Sequence, residues 1–385
     1  MTRLRNPLPA LACMLAFAAP FAWSERAVAQ EQRIRSSVDD HLVDAETKAA
    51  IERGLQYLQK TQERTGSWDQ LVGYKLNSDY ETVDNRPLPH VGVTALACIS
   101  FLAGGHLPDR GKYGETITKG LDHVLSCAQD DGYITENGSR MYSHAFATLF
   151  LAEIYGMSNN PRVKSVLQQS VNLIVSSQNA EGGWRYRPFA RESDMSITVC
   201  QVLALRSARN VGIHVPATTI RNAQNYVYRS AVRSNERASR RPWRGRGGYG
   251  DEGGSFRYQL KEQTRATFPL TGAGVTTLYA AGEYDSPVIK DALDYMDREL
   301  FTFNDQNEHG HYFFYYGHYY AVQAYYITGG PQWRRYFAEV KSRLLRMQRP
   351  DGSWPNDVGP GPAFGTAVAT LILQIPLQYL PIFQR

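Results

Sequence analysis

Apolar residues recur along this chain at helical spacing, in stretches that each run into a glycine. Ile51, Leu55 and Leu58 form one stripe; Leu167, Val171, Ile174 and Val175 form another; Leu344, Leu345 and Met347 form a third. Residues three or four apart share a helix face, so each stripe predicts an amphipathic helix with one buried side. A turn of common wording follows: Gln, a few polar residues, glycine, then an aromatic. It reads Gln62 to Gly66-Ser67-Trp68, Gln129 to Gly132-Tyr133, Gln178 to Gly182-Gly183-Trp184 and Gln348 to Gly352-Ser353-Trp354. Looser copies are Gly253-Gly254-Ser255-Phe256 and Gln306 to Gly310-His311-Tyr312. Glycine stops a helix because it accepts a left-handed backbone without a Cβ clash. The aromatic is expected to plug the seam between neighbouring units.

A second, more apolar segment follows each turn, at residues 91–103, 145–155, 196–208, 270–281, 318–327 and 365–375. Helices apolar on nearly all sides are buried ones. Each unit is therefore read as a hairpin of one polar-faced outer helix and one buried inner helix, with loops of variable length. An open stack of hairpins needs polar end caps, and the segment 366–375 is too apolar to be one. Closing the stack removes the difficulty. The pattern predicts an all-α protein, an α6/α6 toroid of six helical hairpins in two concentric rings, as one domain over residues 48–385 after a lead-in at 30–47.

The first residues add a destination. Arg3 and Arg5 precede an apolar run over residues 8–23, and Ala27-Val28-Ala29 supplies a cleavage site. This predicts a signal peptide at 1–29 and export to a periplasmic or extracellular location. The run is short and interrupted by Pro9 and Pro20, and no later segment is long enough to span a bilayer, so no transmembrane segment is expected after cleavage. Export makes nucleic acid an unexpected partner. The formal net charge of +5 implies no partner by itself. Residues 221–246, however, hold eight Arg against the single acid Glu236. This Arg-rich insertion near 229–250 reads either as a solvated loop or as a contact for an anionic surface partner. Cys98, Cys127 and Cys200 survive cleavage without a CxxC pair, so buried thiols are expected, with Cys98–Cys127 as the candidate disulfide.

In a toroid the inner-helix N-termini meet at one mouth, and their unpaired N–H groups and partial positive charge favour anions. The residues entering those helices include His90, Tyr142 with His144, Asp194 with Ser196, and Tyr316 with His318. Polar residues at such places also cap helices, and Asp194 and Ser196 are natural caps. Together they converge on a concave site, where His144 or His318 would serve as general base, Tyr316 as general acid and Asp194 as the group orienting a His. His90, Tyr142 and Tyr319 are candidate ligand contacts, and Arg185 and Tyr186 candidate rim contacts. Glu308, His309 and His311 form a weak chelating pattern; no metal and no cofactor are expected.

The Gln–Gly–Trp turns and the phrase Gly182-Gly183-Trp184 with Asp194-Met195-Ser196 resemble the prenyltransferase/squalene-cyclase repeat superfamily, across roughly residues 48–382. The resemblance implies the α/α toroid. Terpenoid cyclases of that group carry Asp-x-Asp-Asp at an inner-helix entrance; Asp194-Met195-Ser196-Ile197 offers one carboxylate. Protein prenyltransferases bind zinc through Asp-x-Cys and a His one unit later; here Ser196 replaces the Cys and His318 is two units on. Both chemistries are therefore disfavoured. Tyr plus His at a toroid mouth also resembles polysaccharide lyases. The expectation is a cavity that holds a small molecule, lipid or glycan without turning it over, with a polysaccharide-lyase-like or divergent cyclase-like enzyme as the alternative.

Overall fold

The computed structural model describes residues 39–76, 79–233, 253–261, 265–307 and 310–384. The proposed signal peptide, most of the lead-in, residues 234–252 of the Arg-rich insertion, and Glu308 and His309 lie outside the described residues. Residues up to Leu42 form a unit of their own, whose described part is a short 3₁₀ turn at Asp40–Leu42.

Residues from Val43 onward contain twelve α-helices among those described, alternating between two rings. The outer helices are α1 (Ala45–Lys60), α3 (Gly114–Ser126), α5 (Arg162–Ser176), α7 (Ala217–Ser230), α9 (Pro287–Asn307) and α11 (Gly330–Met347). The inner ones are α2 (Val91–Ala103), α4 (Met141–Ile154), α6 (Met195–Asn210), α8 (Phe268–Ala280), α10 (Tyr312–Thr328) and α12 (Pro362–Gln374). Each inner helix packs on the next, and α12 packs back on α2, so the inner ring is closed. Every residue of α2 is buried, whereas α1 buries one stripe. The expected α6/α6 toroid is present, and no described helix is long and apolar enough to cross a membrane.

The repeated turn builds the seams. Trp68, Trp184 and Trp354 are buried, and each indole N–H donates to a carbonyl ten residues back, on Leu58, Ile174 and Leu344, at 2.9, 2.7 and 2.7 Å. Their backbone N–H groups donate to Thr94, Thr198 and Thr366 on the paired inner helix, as that of Phe256 does to Thr271. In the second hairpin the plug is Ile134, not the expected Tyr133: Ile134 is buried and stands two residues after the glycine, as the tryptophans do. Gly182, at φ +93°, shows why the turn glycine is required: a Cβ there would lie 2.3 Å from the Asn222 carbonyl of the next outer helix.

Two departures shape the mouth. Helix α4 begins at Met141 and α10 at Tyr312, several residues before their apolar runs, because their first turns are built from Tyr, Ser, His and Phe. Between Trp68 and His90 the chain leaves the helical ring as two antiparallel ribbons. β1 (Asp69–Gln70) pairs with β4 (Leu88–Pro89), and β2 (Gly73–Leu76) with β3 (Asp79–Thr82). Among the described residues the cysteines Cys98, Cys127 and Cys200 are free thiols, so Cys98 and Cys127 are not bridged.

Candidate functional site

Four inner-helix entrances carry capping side chains. His90 Nδ1 accepts from the Val93 N–H at 3.3 Å, Thr267 Oγ1 from Leu270, and His311 Nδ1 from Phe313. Asp194 does the most: Oδ1 accepts from the Ile197 N–H at 2.9 Å and from the Ser196 hydroxyl at 2.6 Å. Ser196 is thus engaged with the cap. Asp194 Oδ2 is buried and has no partner of regular hydrogen-bond geometry. Burial raises the Asp194 pKa to about 6, against the opposing pull of Ser196, the Ile197 N–H, Arg185 and Tyr258.

Tyrosines surround this carboxyl. Tyr142, Tyr186, Tyr258 and Tyr316 lie near enough for mutual charge effects, and burial pushes Tyr142 and Tyr316 well above the ordinary phenol range. Tyr142, Phe146, Tyr316 and Phe364 keep water-accessible surface although all four sit on inner helices. They are thus aromatic side chains of the inner ring that a ligand could reach, near the helix N-termini. Tyr319 adds a wall, its ring edge-on to Phe146 at 5.8 Å. The Tyr316 and Tyr319 hydroxyls are buried and unpartnered. Cys200 Sγ lies 2.8 Å from the Tyr320 hydroxyl.

The mouth is basic and aromatic. Arg140 stands over Tyr74 at 4.0 Å and Tyr186 at 5.6 Å, Arg185 over Tyr186 at 5.4 Å and Arg265 over Tyr258 at 5.0 Å. Arg185 also lies 3.3 Å from Glu192. The β2–β3 ribbon reaches this rim: besides Tyr74, its Tyr80 ring meets Tyr312 of the fifth hairpin at 6.0 Å.

The structure brings together Asp194, Tyr142, Tyr186, Tyr316, Tyr319 and Arg185, with His90 at a neighbouring entrance. It does not bring His144 and His318 to them. His144 is the fourth residue of α4, where Thr stands in α2, α6 and α8. Its Nδ1 accepts from the Ile134 N–H at 3.1 Å and its Nε2 faces the Ser170 carbonyl at 3.3 Å, so it joins the turn to the outer helix α5. His318 is clamped between Asn304 at 2.7 Å and Tyr336 at 2.9 Å, among Phe268, Phe303 and Phe314. Burial lowers both, to about 4 and about 3, so neutral imidazoles fill these seams. Both ring nitrogens of each are already engaged, which corrects their assignment as cavity bases. The early starts of α4 and α10 are the reason.

Sequence reasoning missed Tyr258, Arg140, Arg265 and the Tyr74–Tyr80 ribbon. A signal existed for Tyr258. Gly182-Gly183-Trp184-Arg185-Tyr186 is echoed by Gly254-Ser255-Phe256-Arg257-Tyr258, and the two tyrosines hydrogen-bond through their hydroxyls. Their carbonyls repeat as well, accepting from Met141 N–H and Met195 N–H at 3.1 and 2.9 Å.

The fold is that of the α/α toroid proteins. No protein-family profile and no curated protein sequence matches the chain. Among solved structures it is similar to the α-1,6-mannanase GH76A of Salegentibacter sp. HEL1_6 with bound α-1,6-mannotriose, at TM-score 0.58 and 7% identity over 85% of this chain and 97% of that one. It is also similar to the type II terpene cyclase MstE from Scytonema with merosterolic acid A, at TM-score 0.55 and 13% identity over 86% and 97%. An α-amylase from Clostridium perfringens matches at TM-score 0.55 and 10% identity over 85% and 97%. At these identities the likeness concerns the fold alone.

Proposed function

We propose that this chain is an exported toroid protein whose central cavity binds an amphipathic small molecule, lipid or glycan. The carrying observation is a set of buried polar atoms on an aromatic wall that lack regular hydrogen bonds: the Tyr316 and Tyr319 hydroxyls, with Asp194 Oδ2, toward which the Tyr258 hydroxyl reaches. Buried polar atoms left unsatisfied cost about 1–3 kcal/mol each, so a ligand or ordered waters supplying partners would be favoured there. A hydroxyl on the ligand suits Asp194, an apolar or sugar body suits Tyr142, Phe146 and Phe364, and a carboxylate, sulfate or phosphate head suits Arg140, Arg185 and Arg265. Among proteins of similar fold, the mannanase is in complex with α-1,6-mannotriose and the terpene cyclase with its product merosterolic acid A.

A second reading rests on the Asp194 acid, raised to about 6. A carboxylic acid poised there can donate a proton to an isoprenoid or glycosidic substrate. Met195, Ser196 and Ile197 supply no second carboxylate beside it, which favours binding over turnover.

The test is native mass spectrometry of the mature protein from its own host, followed by rebinding of candidate amphiphiles such as isoprenoid carboxylates and phosphates. Asp194→Asn and Tyr316→Phe should each weaken retention at least tenfold while keeping the melting temperature within a few degrees. Unchanged retention in both variants would move the site out of the ring. Conversion of a bound compound by the wild type, lost in Asp194→Asn, would decide for the enzyme. Export is checked on the same sample: a first residue other than Gln30 or a near neighbour would remove that part of the proposal.

A further inference from the structure

The second hairpin holds a cluster that the cavity does not use. His123 and Cys127 stand four residues apart at the C-terminal end of α3, where the i, i+4 spacing puts both side chains on one face. Glu136 comes from the turn leading toward α4. His123 Nε2 is 3.1 Å from Glu136 Oε2 and 3.7 Å from Cys127 Sγ, and the three donor atoms all lie within 4.8 Å of one another. His123 is buried, and the other two are half-buried.

The scaffold holds this arrangement rigidly. The Thr135 N–H donates to the Cys127 carbonyl at 3.3 Å, and Ala128 bridges to Ile134, so the two sides are paired just beneath the cluster. The Glu136 turn is pinned by the Ser139 N–H on the Glu136 carbonyl at 2.8 Å and by Glu136 N–H on Ser139 Oγ at 3.1 Å. Asn137 and Gly138 take the positive φ values of +49° and +80° that such a tight turn needs.

One imidazole nitrogen faces both sulfur and carboxylate, and it can engage only one of them by a single proton or lone pair. A metal ion between the three satisfies all of them. Tetrahedral zinc, with bonds of about 2.0–2.3 Å to N, O and S, places neighbouring donor atoms roughly 3.2–3.7 Å apart. The His123–Cys127 separation of 3.7 Å falls at the upper end of that spacing, and the His123–Glu136 separation of 3.1 Å lies just below its lower end. Thiolate and imidazole ligands select a borderline-soft ion over calcium, magnesium or manganese. We propose that His123, Cys127 and Glu136 form a zinc site with a fourth position open to water or an exogenous ligand. It differs from the Asp194–Ser196 entrance, where the repeat resemblance would have looked for zinc. Its effect would be to tie the end of an outer helix to the turn that starts the next inner one.

The experiment uses the full mature chain, stripped by chelation and titrated with Zn²⁺ and Co²⁺. One zinc per chain is expected, with a sulfur-to-cobalt charge-transfer band. His123→Ala and Cys127→Ser should weaken zinc at least a hundredfold and Glu136→Gln at least tenfold, whereas Cys98→Ser and Cys200→Ser should leave the band intact. A second readout needs no variant: zinc should protect Cys127 from alkylation in the wild-type protein, as mapped by peptide mass spectrometry. Absence of the cobalt band, zinc affinity unchanged in His123→Ala, or equal alkylation of Cys127 with and without zinc would each overturn the proposal.

Discussion

Gln348, at the end of the last outer helix, donates through Nε2 to the carbonyl of Ala50 in the first, at 2.8 Å. The same nitrogen donates to Gly352 at 3.0 Å, and Arg53 donates to Oε1 at 2.6 Å. One amide thus shapes its own turn and binds hairpin six to hairpin one. Gln62 and Gln178 repeat the device with Thr116 and Thr219 of the next outer helix. The closing seam is built like the internal ones, so the ring has no distinct ends to cap.

Gln348→Ala is expected to cost about 2 kcal/mol, since it removes two half-buried hydrogen bonds worth about 0.5–1.5 kcal/mol each and a weaker exposed one from Arg53. Gln178→Ala should cost a similar amount. Urea denaturation at neutral pH measures both. A Gln348→Ala cost below a quarter of the Gln178→Ala cost would mean that closure contributes little.

Gly182→Ala should destabilise well beyond Gly212→Ala. Both backbones have positive φ, +93° and +84°, which costs an L-residue about 1–2 kcal/mol. A new Cβ at 182 would also meet the Asn222 carbonyl at 2.3 Å, while at 212 it meets nothing within 4 Å. Paired melting curves decide it; equal losses would leave only the φ strain.

The ring was legible because its seams are written in local sequence. Gln, Gly and Trp recur at fixed offsets, and each has a backbone-level task that few other residues perform. The second plug was misread because Tyr133 is aromatic and Ile134 is not, although the offset from Gly132 singled out Ile134. At the site, Asp194 was legible as the one acid before an apolar run. His144 and His318 were misplaced because helix starts are poorly marked when the first turn is aromatic. An error of three residues turns a side chain by most of a revolution at 3.6 residues per turn. Arg140, Arg265 and the β2–β3 ribbon were illegible since loops reach the mouth from outside the helical period.

His144→Ala should destabilise the protein by about 2–4 kcal/mol, by orphaning the buried Ile134 N–H and opening a cavity beside Ser170. Ligand retention at a temperature where the variant is folded should match wild type. A variant of wild-type stability that no longer retains ligand would return His144 to the cavity.

Asp194 and Glu153 predict how stability varies with pH. Burial raises Asp194 from 3.8 to about 6, and Glu153 from 4.5 to about 7. Each is nearly inaccessible, at 0% and 3%. Their folded pKa values exceed the unfolded ones, so the folded protein binds more protons between those limits. Stability is then greatest below the lower value and falls as pH rises through the upper one. At about 1.4 kcal/mol per unit, each group contributes a loss of about 3 kcal/mol. Glu153→Gln should remove its share, raising stability at pH 8 relative to wild type while leaving pH 4 nearly unchanged. Asp194→Asn in that background should do the same over a lower window, ending near pH 6. The Asn carbonyl can still accept from Ile197 and Ser196, so the cap survives. Chemical denaturation from pH 4 to 8 gives the difference curves. A difference constant across that range would show that both carboxyls ionise in the folded protein as readily as in the unfolded chain.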